Sequence, residues 1–117
     1  MRILITGITG RIGANLAAAL VKQGHQVCGL VWPRDPRTEN LKPLGVELAE
    51  GTITSEQDLA YAVEDMEIVY HLGAAFQGGG PFTDGEYFEI NVRGTFNVLE
   101  AVRKTSILRQ LIFASSD

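Results

Sequence analysis

Three glycines near the start of the chain have the spacing of a phosphate-binding turn. Gly7, Gly10 and Gly13 follow the apolar run at residues 3–5 and lead into a stretch of helical periodicity at residues 14–22. A strand, a glycine-rich turn and a helix in this order aim backbone N–H groups and the positive end of the helix dipole at one place. Because such a turn lets a pyrophosphate approach the backbone, the segment predicts dinucleotide binding.

Neighbouring residues supply further phosphate contacts in this prediction. Thr9 lies inside the turn, and Arg11 and Ile12 offer N–H groups from the first turn of the helix. Gly13 either belongs to the binding turn or serves helix packing alone. The Arg11 side chain either reaches a phosphate or is a solvated helix residue.

Two residues separate each pair of these glycines, and Thr6 precedes them. This pattern resembles the extended branch of the short-chain dehydrogenase/reductase superfamily, which contains NAD(P)-dependent sugar epimerases, dehydratases and related reductases. Three later segments match the family in the same order: residues 71–75 after a strand, 91–95 within a helix and 113–117 at the end of the chain. The resemblance covers the whole chain and does not single out a substrate.

Strands and helices alternate along the chain, which is typical of a parallel α/β domain. The predicted strands lie at residues 2–6, 26–32, 46–50, 67–72 and 110–114. Helices are predicted at residues 11–23, after Ser55, and from Thr83 to about residue 104, with at most a short helix at residues 38–42. The resemblance implies a Rossmann-type doubly wound parallel sheet in the order 3-2-1-4-5, truncated before a sixth strand. Residues 1–117 thus form one NAD(P)-binding domain, the N-terminal portion of a larger enzyme.

Local patterns predict where these helices begin and which faces they bury. Two capping boxes are expected, one of Ser55 with Asp58 and one of Thr83 with Glu86. Apolar spacing places Ile12 on the apolar face of the first helix. In the last helix it marks a face that consists of Phe88, Asn91, Val92, Thr95, Val98, Leu99 and Val102.

Composition excludes several classes of function. The chain has 117 residues and a net charge of −4 without a basic stripe, which argues against a nucleic-acid partner. No apolar run approaches the ~20 residues of a membrane span. The single cysteine, Cys28, cannot form an internal disulfide, and one cysteine with two histidines gives no metal site. We therefore expect a cytoplasmic protein with a buried thiol.

The end of the second strand decides between NAD and NADP. An acidic residue there binds the ribose 2′-hydroxyl, whereas an arginine accommodates the 2′-phosphate. The resemblance implies an aspartate near position 31 in NAD users, but this chain has Val31 and Trp32, followed by Arg34 and Arg37. This pattern favours NADP, with Asp35 as a mild counterweight; the alternative is that Arg34 is a surface charge.

Two further segments are assigned to the cofactor by the resemblance. Relatives usually carry an aspartate after Gly51 that contacts adenine; here Thr52 and Ile53 follow, and a hydroxyl accepts a hydrogen bond more weakly than a carboxylate. The nicotinamide half passes over the small residues at the end of strand four. These residues are Leu72, Gly73, Ala74 and Ala75.

Two polar side chains near this segment have open roles. His71 is expected to be a packed structural histidine rather than a ligand. Asn91 matches a helix asparagine that braces the site or its water in the family, and a buried structural asparagine is the equal alternative.

Serines close the chain where the family places its substrate-binding hydroxyl. The resemblance implies that Ser116 hydrogen-bonds the substrate oxygen during hydride transfer, as the catalytic residue of this portion, and that Ser115 lies at the cofactor. Asp117 keeps a dehydratase activity among the possible functions. The resemblance implies this because an aspartate at this place serves acid–base chemistry in sugar-nucleotide 4,6-dehydratases.

The catalytic Tyr-x-x-x-Lys pair of the family has no match in these residues. We therefore expect no turnover from the 117 residues, which correspond to the cofactor-binding portion of an epimerase, dehydratase or reductase acting on a sugar nucleotide or similar alcohol. A non-catalytic NAD(P)-responsive module and an inactive folding unit are the alternatives. The unpaired edge of the fifth strand and the helix at residues 84–104 predict a dimer or larger species.

Overall fold

Five parallel strands form the centre of the protein, in a computed structural model that describes residues 1–75 and 81–114. The strands are β1 Arg2–Thr6, β2 Gln26–Val31, β3 Glu47–Glu50, β4 Ile68–His71 and β5 Gln110–Phe113. They pair in the order β3-β2-β1-β4-β5, which confirms the expected topology.

Helices connect the strands on both faces of the sheet. They are α1 Arg11–Lys22, α2 Glu56–Ala62, α3 Asp84–Phe88 and α4 Gly94–Arg103, with a π-helical turn at Glu89–Arg93 between the last two. Two 3₁₀ turns, Pro36–Asn40 and Lys42–Leu44, replace the single short helix expected at residues 38–42. No helix in the described ranges is long and apolar enough to cross a membrane.

Alternate residues of each strand enter two separate cores, because successive side chains of a strand point to opposite faces. Ile3, Ile5 and Val27 pack beneath α1 on one face. Leu4 and Val69 pack beneath α2 and α4 on the other. Burial on both faces makes the strands continuously apolar and confirms the doubly wound arrangement.

The predicted face of the last helix is wrong in part. Phe88, Val92 and Leu99 are between 49% and 55% exposed, while Tyr87 and Ile90 are buried. The π-helical turn closes its hydrogen bonds across five residues instead of four, so the buried stripe changes register there. A strict 3.6-residue period cannot anticipate that change.

One of the two predicted capping boxes forms and the other does not. Thr83 and Glu86 bond each other's backbone N–H groups as expected. The Ser55 hydroxyl accepts from Asp58 N at 3.1 Å, but the Asp58 carboxylate accepts from Thr52 N instead of Ser55 N. Asp58 therefore closes the turn after β3 rather than the cap of α2.

Candidate cofactor site

The glycine turn joins β1 to α1 and depends on two glycines for its backbone packing. Gly7 has φ +73°, and a Cβ there would lie 2.7 Å from the carbonyl carbon of Leu72. A Cβ on Gly13 would lie 2.2 Å from the Gly7 carbonyl oxygen. Gly13 therefore has a packing role, which is one of the two roles that the sequence analysis considered for it.

Gly10 differs from both of its neighbours in the turn. Its backbone is extended, with φ −76° and ψ 171°, which suits any residue. A Cβ there would have one atom of the described residues within 4 Å, the Gly7 carbonyl oxygen at 3.4 Å. The space over Gly10 is thus open, and the absence of a side chain keeps it so.

The N-terminus of α1 opens onto the same space. Gly10 is the N-cap and offers no side chain, and the first turn contains no acidic residue. Ile12 is 71% exposed, so the expectation that it belongs to the apolar face is wrong; Ala17 and Leu20 are buried there instead. The N–H groups at this end are available to an anion.

The strand order reverses beside this turn. β1 continues to β2 on one side and lies next to β4 on the other, with Thr6 paired to His71 at the carboxyl ends. In open α/β sheets ligands bind in the crevice at such a switch point.

A hydrogen-bond network, buried at Thr6 and His71 and half-buried at Asn91 and Thr95, links the ends of β1 and β4 to the helix. We call Thr6, His71, Thr95 and Asn91 the histidine network. Thr6 Oγ1 accepts from the N–H groups of Leu72 at 3.2 Å and Gly73 at 3.0 Å, and lies 2.6 Å from His71 Nδ1. Because the Thr6 hydroxyl already accepts two hydrogen bonds, it donates its own hydrogen to Nδ1.

The ring proton of His71 is therefore on Nε2. Nε2 lies 3.0 Å from Thr95 Oγ1, which donates to the Asn91 carbonyl oxygen at 2.7 Å. The Asn91 amide accepts from Ala75 N at 2.7 Å and donates to Ala75 O at 2.9 Å. Asn91 thus braces the segment after β4, and its role toward the cofactor or a water stays a prediction.

Burial keeps His71 neutral. The side chain is 1% exposed, and desolvation lowers its pKa from 6.5 to about 4. The Phe113 ring stacks on it with centroids 5.6 Å apart. His71 is packed, as expected, and it also connects two segments of the site.

Residues 72–75 follow β4 beside the glycine turn, and we call them the floor of the candidate site. Leu72 packs against the α1 core, and a Cβ on Gly73 would lie 3.0 Å from Thr6 Oγ1. Ala74 is exposed and Ala75 half-buried. A side chain at position 73 would therefore press on Thr6, so packing within the protein already favours glycine there.

On the far side of β1, the chain leaves β2 through a tight turn. Asp35 N donates to Trp32 O at 3.3 Å, and Arg34 has φ +61°, in the left-handed region that favours glycine. Trp32 is 44% exposed, and its ring meets Phe82 edge-on at 5.9 Å. Trp32 and Arg34 follow the carboxyl end of β2, as the sequence analysis expected.

Arg37 is engaged by Asp35. Its Nε and Nη2 donate to the two carboxylate oxygens at 3.1 and 2.9 Å. These bonds chiefly hold the pKa of Asp35 below 3.8, and the Thr9 hydroxyl of the glycine turn contributes. The Asp35 side chain is 9% exposed against 59% for Arg37. Asp35 therefore binds Arg37 directly, which is a stronger effect than the sequence analysis expected of it.

Thr52 follows β3 with its hydroxyl engaged locally. Thr52 Oγ1 accepts from Thr54 N at 3.2 Å and lies 3.0 Å from Thr54 Oγ1. Ile53 is buried beside α4 and its carbonyl accepts from Asn97. The assignment of Thr52 and Ile53 to adenine stays a prediction.

Several functional candidates fall outside the described residues, namely Ser115, Ser116 and Asp117. Within the described ranges, no group of three or more His, Cys, Asp or Glu side chains could hold a metal ion. Sequence reasoning missed the hydroxyls of Thr6 and Thr95 as partners of His71. A buried histidine in an apolar strand was the available signal, since such a group needs polar partners.

A parallel sheet of this order, with an open glycine turn at its switch point, defines a Rossmann-type nucleotide-binding domain. The profile of the NAD dependent epimerase/dehydratase family matches residues 3–117. The chain belongs to this family.

Similar proteins agree with this membership. A 3 beta-hydroxysteroid dehydrogenase/Delta 5-->4-isomerase of Mycobacterium tuberculosis is 34% identical over 99% of this chain and 32% of that enzyme. A short-chain dehydrogenase/reductase superfamily protein of Agrobacterium tumefaciens with bound NAD superposes with TM-score 0.80 and 34% identity, over 99% of this chain and 33% of that one. WbmG of Bordetella bronchiseptica, in complex with NAD and UDP, superposes with TM-score 0.82 and 32% identity, over 97% of this chain and 36% of that one. The chain thus spans about a third of these relatives.

Proposed function

We propose that this chain is the NAD(P)-binding portion of an oxidoreductase, epimerase or dehydratase that passes a hydride between the nicotinamide and an alcohol or carbonyl carbon. The substrate class is a sugar nucleotide or a similar alcohol. Support comes from the family, from the NAD and UDP bound to WbmG, and from the steroid named for the mycobacterial relative. Ser116 orients the substrate oxygen in this proposal.

The observation that carries the proposal is the contrast among the three glycines. Gly7 and Gly13 are required by contacts within the protein, whereas a Cβ on Gly10 meets only one described atom at 3.4 Å. Glycine at position 10 has no structural need, so a ligand that approaches the backbone explains it.

Calorimetry with NAD⁺ and NADP⁺ tests this directly. Gly10→Val fills the open space and should abolish binding of both while the fold is retained. Gly85→Ala is the matched control, because a Cβ there has its nearest neighbour at 4.0 Å and lies in α3. Gly13→Ala should instead lose the fold, since its Cβ has no room. Native affinity in Gly10→Val would show that the turn is no phosphate cradle.

A preference for NADP(H) is the finer part of the proposal. Position 31–32 lacks the carboxylate that binds a ribose 2′-hydroxyl, and Arg34 and Arg37 lie close by. Dinucleotide binding itself does not depend on this preference. Equal affinities for NAD⁺ and NADP⁺ at low salt would overturn the preference alone.

Turnover separates the enzyme from the alternatives. We expect the full enzyme that carries this portion to oxidise or isomerise its substrate through Ser116, and the 117 residues alone to bind cofactor without turnover. Replacement of Ser116 by Ala in the full enzyme should lower kcat and leave cofactor affinity unchanged. A full-length parent with cofactor binding but no turnover would favour an NAD(P)-responsive module.

We also propose that the chain self-associates through β5 or the α3–α4 helix. Phe88, Val92, Phe96 and Leu99 are each about half exposed along one helix, and Phe113 is 54% exposed on the edge strand. Edge strands and apolar stripes of this kind favour pairing. Light scattering should find a dimer or larger species, and a monodisperse monomer at high concentration would contradict it.

A further inference from the structure

The histidine network has both of its ends at backbone that lines the candidate cofactor site. At one end, the Thr6 hydroxyl fixes the N–H groups of Leu72 and Gly73 directly below the glycine turn. At the other end, the Asn91 amide pairs with both the N–H and the carbonyl of Ala75. His71 is the one member that bonds to both halves.

A buried histidine is a costly choice for this place in the fold. Its neighbours in β4 are apolar, and a valine or isoleucine would fill a buried parallel strand without polar atoms. Each nitrogen of His71 is instead matched by a hydroxyl, at 2.6 Å from Thr6 and 3.0 Å from Thr95. A fully satisfied buried network fixes geometry more narrowly than apolar packing does.

We propose that His71 is a positioning residue for the dinucleotide, holding the glycine turn and the floor at residues 72–75 in one relative position. The inference rests on the proposed function. In the proposed function, the glycine turn binds the pyrophosphate and residues 72–75 lie beside the nicotinamide half, and NAD and NADP share both parts. A loss of the network therefore weakens both dinucleotides alike and leaves the preference between them unchanged.

Thr95→Val is the sharpest test, because His71→Ala opens a cavity that can unfold the protein. Valine matches threonine in shape and removes both the acceptor for Nε2–H and the donor to the Asn91 carbonyl. Binding of NAD⁺ and NADP⁺ should weaken by about threefold to tenfold, because the two lost hydrogen bonds act on the dinucleotide only through the position of residues 72–75. Thr95→Ser keeps the hydroxyl and should restore affinity.

Thr105→Val, at a position just past the C-terminal end of α4, is the control. The Thr105 hydroxyl donates to the Ala101 carbonyl at 3.1 Å, the same four-residue bond that Thr95 makes, but without a histidine. We expect Thr105→Val to lower the free energy of unfolding without changing either affinity. The ring nitrogen shifts of His71 should report a neutral Nε2–H tautomer in the native protein and in Thr105→Val, and a change in Thr95→Val.

The outcomes separate the two proposals. Native affinities in Thr95→Val, with only its stability lowered, would overturn the positioning role and leave dinucleotide binding intact. An unsubstituted protein that binds neither NAD⁺ nor NADP⁺ would overturn the proposed function and the positioning role with it. Parallel loss of both affinities, restored by serine, supports both.

Discussion

The two sides of the candidate site are built in opposite ways. Around β1 and β4, buried side chains join residues that are far apart in the chain; Thr6 and His71 are 65 positions apart. Around β2 and β3, the contacts named above join residues close in the chain: Arg37 bonds Asp35 two positions away, and Thr54 bonds Thr52. The first side is fixed by the fold, and the second by its own short sequence.

This difference indicates which side can vary. A change in the histidine network leaves buried polar groups without partners, at a cost of about 1–3 kcal/mol each. A change in the turn after β2 alters an ion pair whose Arg37 side chain is 59% exposed, so solvent screens part of the interaction. We call the side around β1 and β4 the inner side and the side around β2 and β3 the outer side. We infer that the inner side binds the part that NAD and NADP share, and that the outer side discriminates between them.

The largest expected effect tests the burial of His71 through pH. The pKa of His71 is about 4 in the folded chain and 6.5 as its ordinary value, so between these values the unfolded chain binds the extra proton. Stability is then fully present above pH 6.5 and falls by about 3 kcal/mol as the pH drops to 4. Urea titrations across this range should show the loss.

His71→Gln should remove this pH dependence, while His25→Gln, which changes the other histidine, should retain it. Asp35, Glu86 and Glu100 have lowered pKa values, so their contributions are lost only at the acid end, below about 4.5. Comparison of the two variants cancels those carboxylates. An equal slope in both would mean that His71 is not the group responsible.

The architecture was accessible from the sequence because its signals are local. Apolar runs predicted each of the five strands to within one residue at either end, as at Gln26–Val31. The alternation of strands and helices then restricts the sheet to parallel pairing. The exposed face of the last helix was not accessible, since a π-helical turn depends on tertiary packing.

The parts of the candidate site that lie within one short segment could be predicted from the sequence. The glycine turn and the cap at Thr83 follow from residues within a few positions of each other. The partners of His71 lie in other elements, and the choice of Asp58 between Ser55 and Thr52 depends on how β3 meets α2. Such contacts require the fold before they can be identified.

The second prediction addresses the outer side. Asp35→Asn removes the negative charge that binds the Arg37 guanidinium. It keeps a side-chain oxygen for the backbone N–H of Arg37, which in the native protein donates to Asp35 Oδ1 at 3.0 Å. The released guanidinium should strengthen NADP⁺ binding relative to NAD⁺ by about threefold to tenfold, roughly 1 kcal/mol. Arg37→Ala should move the ratio of the two dissociation constants in the opposite direction. Shifts of the same sign in both variants would contradict the competition between Asp35 and Arg37.

The smallest effect separates backbone strain from charge at Arg34. A left-handed conformation costs a residue with a Cβ roughly 1–2 kcal/mol, and glycine's greater freedom in the unfolded chain offsets part of the gain. Arg34→Gly should therefore stabilise the fold by up to about 1 kcal/mol, seen as a rise of a few degrees in Tm, and should narrow the preference for NADP⁺. Arg34→Ala removes the same guanidinium without relief of the backbone, so it should narrow the preference equally and leave Tm unraised. If both variants keep the native preference, Arg34 is a surface charge, and discrimination on the outer side rests on Asp35 and Arg37 alone.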